Sequence, residues 1–156
     1  MKIAVTGSVA TDYMMSFPGK IADSIVVDSL EKISLSFLVN NLEVRRGGTG
    51  ANISFGMGVL GGSPVLIAAV GEDFTDYNSW LTRHGVDTTE LYISQTQLTA
   101  RFTVTTDEAL NQIASFYPGA MSEARNIELG PIFKSRNGFD LVLIAPDDPE
   151  AMLRHT

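Results

Sequence analysis

Hydrophobic residues follow two different periods along this chain, and each change of period marks an element. Residues 2–7, "KIAVTG", are a short, nearly unbroken apolar run rich in β-branched side chains, the pattern of a parallel strand covered on both faces. Two more such runs follow, "PVLIAAVGED" at 64–73 and "FDLVLIAP" at 139–146. Between them, "GANISFGMGVLGG" predicts a helix of small residues closed at Gly61 and Gly62, and "DYNSWLTRHGV" a helix closed by Gly85. "EARNIELGPIF" predicts a further short helix, and Thr156 falls inside a helical pattern, "DDPEAMLRHT". Two segments alternate more strictly. "ISLSFLV" sets Ile33, Leu35 and Phe37 against Ser34, Ser36 and Leu38, and "TARFTVTT" at 99–106 is of the same kind. Each predicts a strand with a single dry face.

Buried strands alternating with helices predict an α/β fold with a doubly wound, mostly parallel sheet. The alternating segments, within residues 16–46 and 98–118, do not fit that sheet and predict a small antiparallel sheet projecting from it. Residues 1–15, 47–97 and 119–156 then supply the core. The chain holds no internal repeat and no low-complexity stretch.

Composition narrows the choice of partner. With 156 residues, 44% hydrophobic and 19% charged, the chain is sized for one compact domain. Its net charge is −7, and it has no block of consecutive Lys or Arg, so the electrostatic footprint of a nucleic-acid binder is missing. The absence of Cys excludes a disulfide framework and a thiolate metal site, and His84 and His155 are too few and too far apart for zinc. The amino terminus has too few apolar residues for a signal peptide or a membrane span and reads as the first strand of a cytoplasmic protein.

Glycine carries the candidate chemistry. "GMGVLG" (Gly56, Gly58, Gly61) spells the dinucleotide fingerprint, with Glu72 and Asp73 following. That fingerprint works only where a strand opens into a helix, and here it sits about two turns inside one, so the glycines read as close helix packing. "GGTGAN" (47–52) is different: a glycine turn that opens directly into the helix, without the Lys-Ser/Thr pair of a P-loop. Such a turn is either a plain helix start or a place where a ligand approaches backbone N–H groups without meeting a Cβ, with the Asn52 amide at hand. Asp12 follows the carboxyl end of the first strand, where open α/β sheets bind ligands; it is either a turn residue or an acceptor for a sugar diol.

"GSVATD", then "RGGTGANISFGMGVLGG" about 35 residues later, then "AAVGEDF", resemble the amino-terminal half of the ribokinase-like (PfkB) sugar and nucleoside kinases. Within that family, "IAVTGSVATD", "ISLSFLV", "TARFT" and "QIASFYPGAMSEARNI" are similar to the adenosine kinases of mycobacteria and related actinobacteria. The resemblance covers essentially the whole chain. It implies that Asp12 takes the ribose hydroxyls, that Gly47, Gly48 and Asn52 form the floor under the sugar, and that Ser8 lines the pocket. Phe102 and Phe116 then lie on lid segments and stack on adenine, where without the resemblance they read as lid core. Ser36 and Phe37 would reach a partner's site, because lid strands of such kinases pair across a homodimer. The reaction implied is phosphoryl transfer from ATP, accompanied by Mg2+, to the ribose 5′-hydroxyl, giving AMP. The catalytic Asp, the Gly-Ala-Gly-Asp-type loop and the ATP pocket are expected beyond Thr156, so this chain alone is expected to be inactive.

Overall fold

The computed structural model describes residues 1–25 and 34–156. In chain order the strands are β1 (Ile3–Thr6), β2 (Ala10–Ser16), β3 (Asn41–Gly47), β4 (Val65–Ile67), β5 (Ala69–Gly71), β6 (Tyr92–Ser94), β7 (Ala100–Thr106), β8 (Gln112–Tyr117) and β9 (Leu141–Ile144). The α-helices are α1 (Thr49–Val59), α2 (Thr75–Arg83), α3 (Leu129–Ser135) and α4 (Pro149–Arg154), with a 3₁₀ stretch at Gly119–Asn126.

β1 lies between β4 and β9, all parallel, as its unbroken apolar run requires. A parallel bridge from Val65 to Asp87 and the β5–β6 pair carry the pairing outward by one more strand. Residues 65–70 divide their side chains between the two faces with a period of two. Leu66, Ala68 and Val70 join Val9, Ala51, Phe74, Tyr77 and Leu81 from the α1–α2 side. Val65, Ile67 and Ala69 join Ala124, Ile127 and Ala151 from the α3–α4 side. The sheet is thus covered on both faces, and the doubly wound α/β expectation holds.

A four-stranded sheet, in the order β3-β2-β7-β8, projects from this core. It departs from expectation in three ways. Ala10–Ser16, read with the core, is a strand of the projecting sheet. β2 and β7 run parallel, so that sheet is mixed rather than antiparallel. Finally, "ISLSFLV" forms no strand over residues 34–39, and Ile33 lies outside the described residues. The free edge of β2 is taken instead by Asn41–Gly47 in a seven-residue register, and Phe37 packs on Phe17 with ring centroids 4.8 Å apart. Alternation gives a strand only where it pairs with a neighbour, and on this edge of β2 the pairing belongs to Asn41–Gly47. The run 64–73 breaks at Ala68, with residues 65–67 paired to β1 and 69–71 to β6.

Candidate functional site

The carboxyl end of β1 turns through Gly7 and Ser8 into β2, and the glycine turn between β3 and α1 lies directly on this corner. Gly48 is at φ +91°, and a Cβ there would meet Ser8 O and Ala10 N, each at 2.6 Å. Gly50 is as tightly placed, its missing Cβ 2.7 Å from the Gly7 carbonyl group. Only glycine at both positions lets the two segments touch. The Ser8 hydroxyl accepts the Thr49 N–H at 3.0 Å, and the Ser8 carbonyl accepts the Ala51 N–H at 3.3 Å. Gly48 stands at the N-cap and has no side chain to cap with, so a serine some forty positions upstream caps α1 instead.

Gly47 faces Asp12. A Cβ on Gly47 would lie within 2.6 Å of the Asp12 carboxylate, so the glycine leaves room for that group. Arg45 stands opposite Asp12 in the β2–β3 register, yet its guanidinium goes to Glu43 at 2.7 Å. No ion pair or hydrogen bond to the Asp12 carboxylate is found among the described residues. Burial lifts its pKa above the ordinary carboxylate value, with no neighbouring group pulling it back. The result is a half-buried acceptor without donors.

The strand register brings two of the sequence-selected aromatics to Asp12. Asp12 pairs with Phe102 in β7, and Phe102 with Phe116 in β8, so the three stand in one row on one face of the projecting sheet. Phe102 is half-buried, and Phe116 is 51% exposed. Asn52 lies in the first turn of α1, its backbone bonded to the Gly48 carbonyl at 3.0 Å and its side chain exposed. Ser36 is exposed, outside any strand, and bonded to no other described residue.

Two residues that no reading of the sequence placed at the site, Asp73 and Tyr77, tie these segments together. Asp73 accepts the Thr99 N–H at 2.8 Å, the Thr99 hydroxyl at 2.7 Å and the Arg101 guanidinium at 2.9 Å, tying the end of β5 to the start of β7. Burial acts to raise its pKa, but those donors outweigh it and hold the carboxyl below the ordinary value. Tyr77, in α2, donates its hydroxyl to the Gly47 carbonyl at 2.9 Å. Neither contact has a local sequence signal, because the partners lie 26 to 30 positions apart.

A cavity of about 490 Å³ lies at the opposite pole of the sheet, lined by Lys2, Ile3, Val65, Arg136 and Phe139 among others. The Arg136 guanidinium in its wall is already paired with Asp87 at 2.6 Å and Glu90 at 2.8 Å. No group of three or more His, Cys, Asp or Glu among the described residues could hold a metal ion. No helix among them is long and apolar enough to cross a membrane.

Comparison with known proteins decides the family. The sequence profile described as "pfkB family carbohydrate kinase" matches residues 13–155. The chain belongs to the pfkB family. Its curated relatives include a nucleoside kinase of Methanocaldococcus jannaschii, 28% identical over 155 residues, which are 98% of this chain and 46% of that protein. The crystal structure of the M. jannaschii nucleoside kinase superposes with a TM-score of 0.81 at 26% identity, over 99% of this chain and 48% of that one. The nucleoside kinase of Burkholderia thailandensis in complex with inosine gives 0.76 at 28% identity, over 98% and 47%. A ribokinase of Cryptococcus neoformans in complex with ADP gives 0.65 at 25% identity, over 77% and 35%. This pfkB-family chain therefore spans about half the length of the nucleoside kinases it matches.

Proposed function

We propose that this chain is the substrate-binding, amino-terminal half of a kinase that transfers the γ-phosphate of ATP to the 5′-hydroxyl of adenosine, giving AMP. The observation that carries the reading is the row Asp12–Phe102–Phe116 beside a glycine turn whose Gly47 abuts the Asp12 carboxylate. An ionised carboxylate accepts hydrogen bonds and donates none, so an unpartnered one suits a vicinal ribose diol, which offers two donors. Gly47 and Gly48 let the sugar ring approach the backbone, and Asn52 supplies an amide at the rim. The two phenylalanines give a purine ring an aromatic wall, worth about 0.5–1.5 kcal/mol beyond area burial. Ser8 acts through Thr49, fixing the turn on which the sugar would rest. Ser36 belongs to the same reading only through a second subunit. The resemblance to actinobacterial adenosine kinases supports adenosine as the substrate, and the nucleoside kinases among the relatives support the nucleoside class.

In the reaction, the 5′-oxygen forms a bond to the γ-phosphorus as the bond to the β-phosphate bridging oxygen breaks, and the hydroxyl proton passes to a base. This chain's residues bind and orient the sugar; the base and the ATP pocket are expected in the carboxy-terminal half. Mg2+ would accompany the ATP phosphates.

Calorimetric titration with adenosine and with ribose tests the assignment. Adenosine is expected to bind at least tenfold more tightly than ribose, Asp12→Ala to abolish binding with the melting temperature unchanged, and Phe102→Ala to weaken adenosine alone. Equal affinity for ribose would favour a free-sugar kinase, the alternative the family description supports. Adenosine binding without AMP formation by the full-length protein would favour a binding or dimerising role.

A further inference from the structure

Helix α2 reaches the glycine turn through one side chain. Tyr77 is 6% exposed and belongs to the main core cluster, yet its hydroxyl leaves the apolar packing to meet the Gly47 carbonyl. The preceding residue is anchored on the same helix: the Arg46 guanidinium lies 5.0 Å from the Trp80 ring centroid and 6.0 Å from that of Tyr77. Trp80 in turn stacks on Phe55 of α1, with centroids 4.2 Å apart. The end of β3 is thus gripped twice from α2, one residue before the chain enters α1.

The grip falls where the backbone is freest. The peptide group between Gly47 and Gly48 has glycine on both sides, so neither Cβ resists its rotation about the chain. That peptide is trans and planar, so the Gly48 N–H points opposite to the Gly47 carbonyl. Whatever fixes the carbonyl also aims the N–H.

We propose that Tyr77 is a positioning residue for the Asp12 site: its hydroxyl, donated to the Gly47 carbonyl, pins the Gly47–Gly48 peptide and so fixes both the gap beside the Asp12 carboxylate and the direction of the Gly48 N–H. The significance for substrate rests on the nucleoside-binding reading given above; the pinning itself does not. Tyr77 touches no substrate atom. Its part is to keep a glycine pair, chosen for closeness, from spending that closeness on disorder.

Tyr77→Phe keeps the ring, its packing and the Arg46 contact, and removes only the hydroxyl. Two measurements on the full chain separate the claims. In the ligand-free protein, amide hydrogen exchange is expected to quicken at Gly48 and Thr49 by about fivefold, the factor one ordinary buried hydrogen bond supplies, with the interior of α2 unchanged. Calorimetry with adenosine is expected to show a similar loss of affinity, with the melting temperature lowered by no more than the few degrees that one buried hydrogen bond accounts for. Exchange at Gly48 and Thr49 equal to wild type overturns the proposal. Faster exchange there upholds the pinning even if wild type fails to bind adenosine, a result that overturns only the nucleoside reading. Faster exchange with undiminished adenosine affinity overturns the positioning role.

Discussion

Two adjacent glycines illustrate how neighbours of one type do different work. A Cβ at Gly47 meets the Asp12 carboxylate, the movable end of a side chain, whereas a Cβ at Gly48 meets the backbone of Ser8–Ala10 at a φ of +91°. Gly47→Ala is therefore expected to fold with little loss of melting temperature while adenosine affinity falls at least tenfold, because Asp12 is displaced. Gly48→Ala is expected to lose about 1–3 kcal/mol of stability from backbone strain, read as a lower melting temperature. Asp147 offers a test by pH. Both its carboxylate oxygens are buried without a partner, and burial pushes its pKa up from 3.8 to about 6. A raised carboxyl binds its proton more tightly when folded, so its stabilising contribution is complete below about pH 4 and is lost as pH rises to about 6. The loss is about 3 kcal/mol for roughly two pH units. Asp147→Asn is expected to raise the melting temperature at pH 7.5 and to change it little at pH 4; an equal change at both would show that the carboxyl carries no such cost.

At the level of elements, α1 explains the fingerprint-like spelling "GMGVLG". Gly58 packs directly on the His84 carbonyl, where a Cβ could not fit, while Gly56 faces open space. The helix therefore packs on the turn that follows α2, with Gly85 at φ +83° making that turn, rather than on a cofactor. Gly56→Ala should stabilise the protein by about 0.5–1 kcal/mol through helix propensity, and Gly58→Ala should destabilise it by more than that. Paired thermal melts decide the matter: similar shifts for both variants would contradict the packing account. The projecting sheet shows the limit of reading periodicity alone. "TARFTVTT" became β7 as its alternation predicts, but the equally regular "ISLSFLV" did not become a strand over its described residues. What separated them was the ladder: β7 found β2 on one side and β8 on the other.

Across the whole molecule, the face of the projecting sheet opposite Asp12 carries Leu42 and Val44 of β3 and Ile113 and Tyr117 of β8, exposed at 55%, 54%, 43% and 43%. Apolar side chains on one face of a sheet invite a partner, and the proposed homodimer would cover them. Light scattering is expected to give a dimer for wild type and a monomer for the double variant Val44→Glu, Ile113→Glu; a monomeric wild type would remove this part of the proposal. The sequence by itself determined the parallel core and the location of the glycine turn. Unbroken apolar runs at β1, β4–β5 and β9 have no other good burial, and Gly61 and Gly85 end α1 and α2 by a local rule of backbone conformation. It also supplied the motif order that marks the family, and it singled out Asp12, Gly48 and Phe102. Only the tertiary structure decided which strand fills the edge of β2 and that β2 leaves the core. It alone showed that Ser8 caps a helix that begins some forty positions later, and that Tyr77 and Asp73 bond across to the glycine turn and to the start of β7. Those outcomes depend on which distant segments win a hydrogen-bond ladder or reach an orphaned backbone group, a competition among contacts some 25 to 90 positions apart that no local period records.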